Sequence, residues 1–310
     1  MTEATADPSA AASVATASKG ASVTESTNLS DTSTWLPLDG LAPGFDANKA
    51  PLSDALVGRT LTVVDDRGTR IAHTFGSGSV SWVYKPGESD PTEPAAQTDA
   101  CEVFEVDEDL YYAQFHHDYL PNEAVSLFLD LRSGYALAVV SIIGEAAPGH
   151  TAVQQLFAPS RIEELAQTGA APAPTIELIG RRAMWVYSSE HTYEHIYLTP
   201  HWYTWQCLAG PEQGLADTDE QTTWRLRPGI YVFAWREKVI PCASVTVADH
   251  RDQRSLRSHG VLFGLDEAGT SQTHFTFGAF GRLLSNTVHP AEYDPALRDA
   301  ADAGASEGTN

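Results

Sequence analysis

The sequence predicts an all-β chain made of two tandem antiparallel units, and three observations lead there. Apolar and polar residues alternate with the period of a strand, in which successive side chains point to opposite faces. Short candidate strands separated by Gly, Asp and Ser turns recur through both halves. The halves also repeat one another as two copies of a unit of about 115 residues: Leu56-Val57-Gly58-Arg59 matches Leu178-Ile179-Gly180-Arg181, and the third strand after each carries a tryptophan, Trp82 and Trp205. All-β units of that size are up-and-down barrels or sandwiches, and a closed barrel of about eight strands leaves room for one small ligand.

Taken in order, residues 1–33 are Ala, Ser and Thr with almost no large apolar side chain and read as a disordered tail. The first unit is expected over 34–150. It opens with a Pro- and Gly-punctuated segment from Trp35, ending in a short helix capped near Ser53. Strands follow at 60–64, 70–75 and 80–84, then a polar loop over 86–100, then strands at 102–106, 110–115, 124–131 and 136–143. Residues 151–175 read as a helix (SRIEELAQ) and a linker (GAAPAPT). The second unit spans 176–290, and 291–310 form a second disordered tail.

The two copies differ in chemistry. The first is built of simple aliphatics such as Leu61, Val63, Ile71, Leu127, Leu129 and Val139, which suits a structural role. The second concentrates tyrosine and tryptophan between 176 and 237, which suits the wall of a small-molecule site: rings supply apolar area and hydroxyls supply orientation. In 193–197 one face carries Tyr193, His195 and Tyr197 and the other Glu194 and Ile196. In 230–236 the odd positions, Tyr231, Phe233 and Trp235, form an aromatic row. Both faces are largely apolar, so each such strand is expected to meet the interior on one side and a partner, helix or second sheet on the other.

Composition excludes several functions. At 310 residues with 42% hydrophobic content the chain can build two cores, and a formal charge of −22 disfavours nucleic acid and anionic membrane as partners. No run approaches the length of a membrane span, and the acidic first residues are unlike a signal peptide, so a cytoplasmic protein is expected. Cys101, Cys207 and Cys242 are odd in number and lack CxxC spacing, which fits reduced buried thiols.

His191-Thr192-Tyr193-Glu194-His195 spells H-x-x-E-H, a zinc signature that requires a helix. Its Tyr, Thr and Ile favour a strand, which would hold the two histidines about 13 Å apart, too far to share one metal. No metal is expected. His116-His117-Asp118 reads as a solvated turn, and Asp217-Thr218-Asp219 as a turn without the other ligands of a calcium loop. With no GxGxxG, P-loop or Gly-x-Ser-x-Gly elbow, no cofactor is expected either. Glu194, Arg236 and Glu237 are charges inside or at the end of apolar strands, where a carboxylate either pairs with a cation or has a raised pKa, and both states serve acid–base chemistry. The bland alternative is a Glu–Arg pair closing the barrel end.

The blocks Tyr193 to Leu198, Tyr203 to Leu208, Gly214 to Asp219 and Trp235 to Lys238, with Gly44-Phe45 and Val57-Gly58-Arg59 in the first half, resemble the molybdenum cofactor biosynthesis protein F (MoaF) family over roughly 250 residues. That resemblance implies two tandem lipocalin-like (calycin) antiparallel β-barrels. It also implies monoamine-metabolism or natural-product accessory roles as readily as cofactor synthesis. More distantly, the Tyr- and Glu-rich hairpin resembles the cofactor-free phenolic acid decarboxylases. The expectation is therefore a small-molecule-binding tandem barrel in secondary or amine metabolism, a cofactor-free lyase, cyclase or isomerase acting on an aromatic or amphipathic metabolite. Glu194, Tyr197, Arg236 and Glu237 are the candidate catalytic residues. Tyr187, Tyr193, His195, Tyr203, Trp205, Tyr231, Trp235 and His274 are the candidate substrate contacts. A non-catalytic carrier and an accessory factor in molybdenum cofactor biosynthesis are the alternatives, and a homo-oligomer is compatible with the sequence.

Overall fold

In the computed structural model, described over residues 33–88, 93, 95–144 and 150–297, nearly all regular structure is antiparallel strand. The expected tails fall almost wholly outside the described residues; within them, Ala291–Tyr293 form a single 3-10 turn. Eight strands close the first barrel: β1 (Thr60–Val64), β2 (Arg70–Gly76), β3 (Ser79–Lys85), β4 (Ala95–Asp107), β5 (Leu110–His116), β6 (Glu123–Asp130), β7 (Tyr135–Ile143) and β8 (Val153–Ile162). After a short β9 (Ala173–Pro174), the second barrel runs through β10 (Arg181–Val186), β11 (Thr192–Tyr197), β12 (Trp202–Ala209), β13 (Ala216–Arg227), β14 (Ile230–Arg236), β15 (Cys242–Asp249), β16 (Leu256–Leu265) and β17 (Gln272–Asn286). Pairing of β10 with β17 and of β12 with β13 closes the second ring.

The repeat read from the sequence extends to register. His73 stands opposite Trp82 in the first barrel and His195 opposite Trp205 in the second. In each, an aspartate pairs with the residue two before that tryptophan, Asp99 with Val80 and Asp219 with Tyr203. Even the β4–β5 and β13–β14 turns correspond. Each needs a left-handed residue, supplied once by Asp109 (φ 58°) and once by Gly229 (φ 79°), two residue types that tolerate that region.

Inside the first barrel lie Leu61, Val63, Leu127 and Leu129; inside the second lie Trp185, Tyr203, Phe233 and Trp235. The outer faces of β5, β6 and β7 carry Leu110, Tyr112, Phe128 and Val139, which pack on Ile230, Val232, Val245 and Val261 of the second barrel. The two apolar faces of β14 are thus explained: one fills its own barrel, the other meets the neighbouring barrel. Arg227 ties the pair at one edge, with Nη1 on Asp107 at 2.7 Å and Nη2 on Asp130 at 2.7 Å.

Several local expectations are corrected. The piece containing SRIEELAQ begins as strand: β8 pairs with β7 along its length and with β1 at Val63↔Ile162, because closing the ring outweighs the helical propensity of half-exposed polar residues. The first barrel therefore extends to Ile162, beyond the expected limit at 150. In the expected linker, Ala173–Pro174 pairs with β13 as an edge strand, where a proline is tolerated. The entry helix lies at Leu38–Leu41, earlier than expected, and Ser53 opens a turn that buries Leu56. The end of the supposed loop, from Ala95 to Ala100, is the start of β4, and Asp217-Thr218-Asp219 lies among the first residues of β13. His116 ends β5, and His117 is fixed with Nδ1 2.8 Å from Asp99 Oδ2, so neither belongs to a solvated turn.

Candidate functional site

Seven expected contact or catalytic residues, Tyr187, Tyr193, His195, Tyr203, Trp205, Trp235 and Glu237, converge on one cavity of about 50 Å³ inside the second barrel. Strand parity brings them there: Tyr193 and His195 on β11, Tyr203 and Trp205 on β12, and Trp235 on β14 all point inward. The small residues Ser244, Thr246 and Ala248 of β15 occupy positions across from Trp235, Phe233 and Tyr231, which leaves room for the rings. Tyr197 and Tyr231 point into the same interior farther along, the Tyr231 hydroxyl donating to Glu177 Oε2 at 2.7 Å.

The same parity excludes three candidates. Glu194 lies between Tyr193 and His195 and so faces outward, where Arg182 Nε reaches its Oε1 at 2.6 Å. Arg236 follows Trp235 and faces outward too, donating through Nη1 to Gln155 of the first barrel at 2.9 Å and through Nε to Glu220 at 3.3 Å. These pairs correspond to the structural alternative weighed for them. His274 sits at the seam between barrels, stacked on His116 at 3.5 Å between ring centroids.

Glu237 is the chemically unusual member. It follows the end of β14, where Gln221 opposite Trp235 fixes the register and brings it to Asp219. Trp235 Nε1 donates to Glu237 Oε1 at 2.6 Å, and Trp205 Nε1 to Asp219 Oδ2 at 2.8 Å. The Lys238 N–H donates to Asp219 Oδ1 at 3.1 Å. Burial, followed by the adjacent Asp219, pushes the Glu237 carboxyl well above the usual carboxylate range; burial also raises Asp219. Two carboxyls in hydrogen-bond contact in a dry site cannot both ionise, so the pair shares a proton. Glu237 Oε2 is buried, and no N–H or hydroxyl donor among the described residues reaches it.

Around this pair the imidazoles and phenols are held neutral. Burial, then His250, lowers His195 to about 3, and its Nδ1 has no hydrogen-bond partner among the described residues; burial lowers His250 to about 3 as well. Burial and then Glu237 and Asp219 raise the Tyr203 phenol well above its ordinary value. Tyr193 donates to Glu212 Oε2 at 2.9 Å, and burial with that carboxylate keeps its phenol protonated. No lysine or arginine lines the cavity. Among the described residues, no group of three or more His, Cys, Asp and Glu side chains is gathered as a metal requires, and the three cysteines are free and buried.

Sequence reasoning missed Asp219, Glu212, His250 and the segment over the barrel mouth that contributes Leu41 and Phe45. Asp219 had a signal: with the two halves aligned, each tryptophan is followed by an aspartate on the next strand. In the first barrel Trp82 Nε1 donates to Asp99 Oδ2 at 2.7 Å, and His117 Nδ1 lies 2.8 Å from the same oxygen. Glu212 sits on a loop and carries no such signal.

Comparison with known proteins agrees with the repeat. The MoaF N-terminal domain family matches residues 33–145 and the MoaF C-terminal domain family matches residues 172–287. A curated relative, Protein MoaF of Klebsiella aerogenes, is 32% identical over 194 residues, covering 58% of this chain and 72% of the relative. Among solved structures, a putative beta-lactamase from Burkholderia vietnamiensis aligns with 34% of this chain and 95% of its own at 15% identity and a TM-score of 0.28. A DUF3598-family protein of unknown function from Nostoc punctiforme aligns with 72% of this chain and 94% of its own at 10% identity and a TM-score of 0.34. Superpositions at that level bear on neither fold nor function.

Proposed function

The chain belongs to the MoaF family, and from that premise we propose that its second barrel binds one small aromatic or amphipathic molecule and performs cofactor-free acid–base chemistry on it, of the lyase, cyclase or isomerase type. The observation that carries this reading is the Asp219–Glu237 pair: a carboxyl kept protonated by burial and a neighbouring acid, with an oxygen that no N–H or hydroxyl donor among the described residues reaches, beside tyrosine and tryptophan rings. Such a group is a general acid at neutral pH. When Glu237 gives its proton to a ligand heteroatom, the resulting charge is spread over the pair and stabilised by the Trp205 and Trp235 indoles and the Lys238 N–H. Tyr187, Tyr193, Tyr203, Trp205, Trp235 and His195 form the wall that orients the ligand. The three free thiols favour a reducing compartment, the cytoplasm.

Native mass spectrometry after incubation with extract of the source cells tests the reading, with chromatography to detect isomers. A ligand released in altered form by the wild type and unaltered by Glu237→Gln supports the enzyme. A ligand that the wild type releases unchanged makes the protein a carrier. A role in molybdenum cofactor biosynthesis, as the wider family label suggests, predicts lost molybdoenzyme activity in a deletion strain.

A further inference from the structure

A cavity of about 50 Å³ holds little more than water, whereas a benzene-sized ligand occupies a void of about 150 Å³. A ligand of the proposed class therefore enters only if something leaves. The segment from Trp35 to Lys49 precedes the first barrel in the chain yet lies across the mouth of the second, outside the strand ladders. Its Phe45, 4% exposed, sits among five aromatic rings, with centroids at 4.6 Å (Tyr187), 4.6 Å (His191), 5.8 Å (Tyr193), 5.6 Å (Phe275) and 6.2 Å (Phe277). Discrete polar ties hold the segment. Leu36 N donates to Glu212 Oε1 at 3.2 Å, His191 Nε2 to Pro43 O at 2.9 Å, Asn48 Nδ2 to Val186 O at 2.9 Å and Arg257 Nη2 to Asn48 O at 2.7 Å. The His191 of the H-x-x-E-H run thus has a place: its Nε2–H latches the strap, and its ring forms part of the cage.

We propose that this strap is a gate, that the five rings around Phe45 are the ligand's ring subsite, and that an uncharged monocyclic aromatic group enters by displacing Phe45. The inference rests on the second barrel being a small-molecule site, and it names the ring class and the route of entry. Phe45 acts as an internal stand-in: edge and face contacts that hold a phenyl ring of the chain hold a phenyl ring of a ligand equally well. A substituent on such a ring reaches the cavity that Glu237 lines. Because the competent state is the one with the strap open, apparent affinity scales with its population.

The test uses the full-length protein with fluorobenzene and fluorocyclohexane, rings of similar size of which only one is aromatic, observed by ¹⁹F NMR. Fluorobenzene is expected to bind about tenfold more tightly than fluorocyclohexane and to raise amide hydrogen exchange across residues 35–49. Asn48→Ala, which removes one latch bond far from Glu237, is expected to tighten fluorobenzene binding about fivefold, the consequence of one hydrogen bond on the opening equilibrium. Fluorobenzene binding with unchanged exchange in 35–49 and no response to Asn48→Ala overturns the gate but leaves the small-molecule site standing. Equal binding of the two rings overturns the aromatic subsite, and so does failure of both to bind wild type and Asn48→Ala; the extract experiment then judges the wider reading on its own.

Discussion

The two barrels carry the same framework and put it to opposite electrostatic use. Each has a histidine opposite an inward tryptophan, and each tryptophan donates its indole N–H to a buried aspartate on the next strand. The difference lies just beyond the fifth strand of each barrel. In the first, His117 meets Asp99; burial opposes ionisation, but hydrogen bonds from Trp82 and His117 and the Asp118 N–H outweigh it and hold the carboxyl below its ordinary range. In the second, Glu237 meets Asp219, and both carboxyls are raised. At Asp99 the Trp82 and His117 hydrogen bonds prevail over burial, whereas burial raises Asp219 with no imidazole to offset it. The first is a structural anchor; the second holds a proton it can give away.

The largest expected effect follows from removing that proton. Glu237→Gln should lower turnover of the ligand by about 10²–10⁴-fold while binding persists, read from kcat against Kd. Next comes the exchange that would erase the contrast, Glu237→His. An imidazole beside Asp219 should bring that carboxyl down as His117 does for Asp99, and the pH dependence of stability should change sign. Glu237 and Asp219 bind protons more tightly in the folded chain, so their contribution is present below the ordinary carboxyl range, about pH 4, and is lost as pH rises. Asp99 contributes in the opposite sense, present above about pH 4 and lost as pH falls. Thermal melts across pH should therefore show the wild type losing ground to Glu237→Gln as pH rises, and Asp99→Asn approaching the wild type as pH falls.

The two tryptophans sharpen the same point with a smaller effect. Trp82→Phe takes a donor from an ionised acceptor and should cost about 1.5–3 kcal/mol beyond the lost ring area; Trp205→Phe takes one from a proton-sharing pair and should cost about 0.5–1.5 kcal/mol, both by denaturant unfolding. Smallest of all is Glu194→Gln: its arginine partner is half exposed on the outer face, so turnover should be unchanged and stability should fall by no more than about 1 kcal/mol.

Much of this was legible in the sequence because strand parity is binary. Alternation placed Tyr193, His195 and Tyr197 on one face, and the repeat revealed two copies of one unit. The same rule places Glu194 and Arg236 on the face opposite the rings, because each sits one residue out of phase with them. Reading β8 failed because its half-exposed residues have no apolar row of their own and become strand only through the ladder that closes the ring. Asp219 was hidden by a run of polar residues that resembles a turn. The strap could not be read locally, since its partners in the second barrel, such as Val186 and His191, lie more than 130 residues away along the chain.

The central claim, one framework with two charge states, is tested most directly by following the carboxyl ¹³C resonances of Glu237 and Asp99 in the full-length protein through a pH titration. The account predicts that Asp99 stays ionised down through the ordinary carboxylate range, while Glu237 keeps its proton well above that range, and that Asp219→Asn lowers the Glu237 midpoint without returning it to the ordinary value, because burial remains. A Glu237 resonance that titrates near pH ~4.3 together with Asp99 would contradict it and would leave the second barrel without a proton to donate.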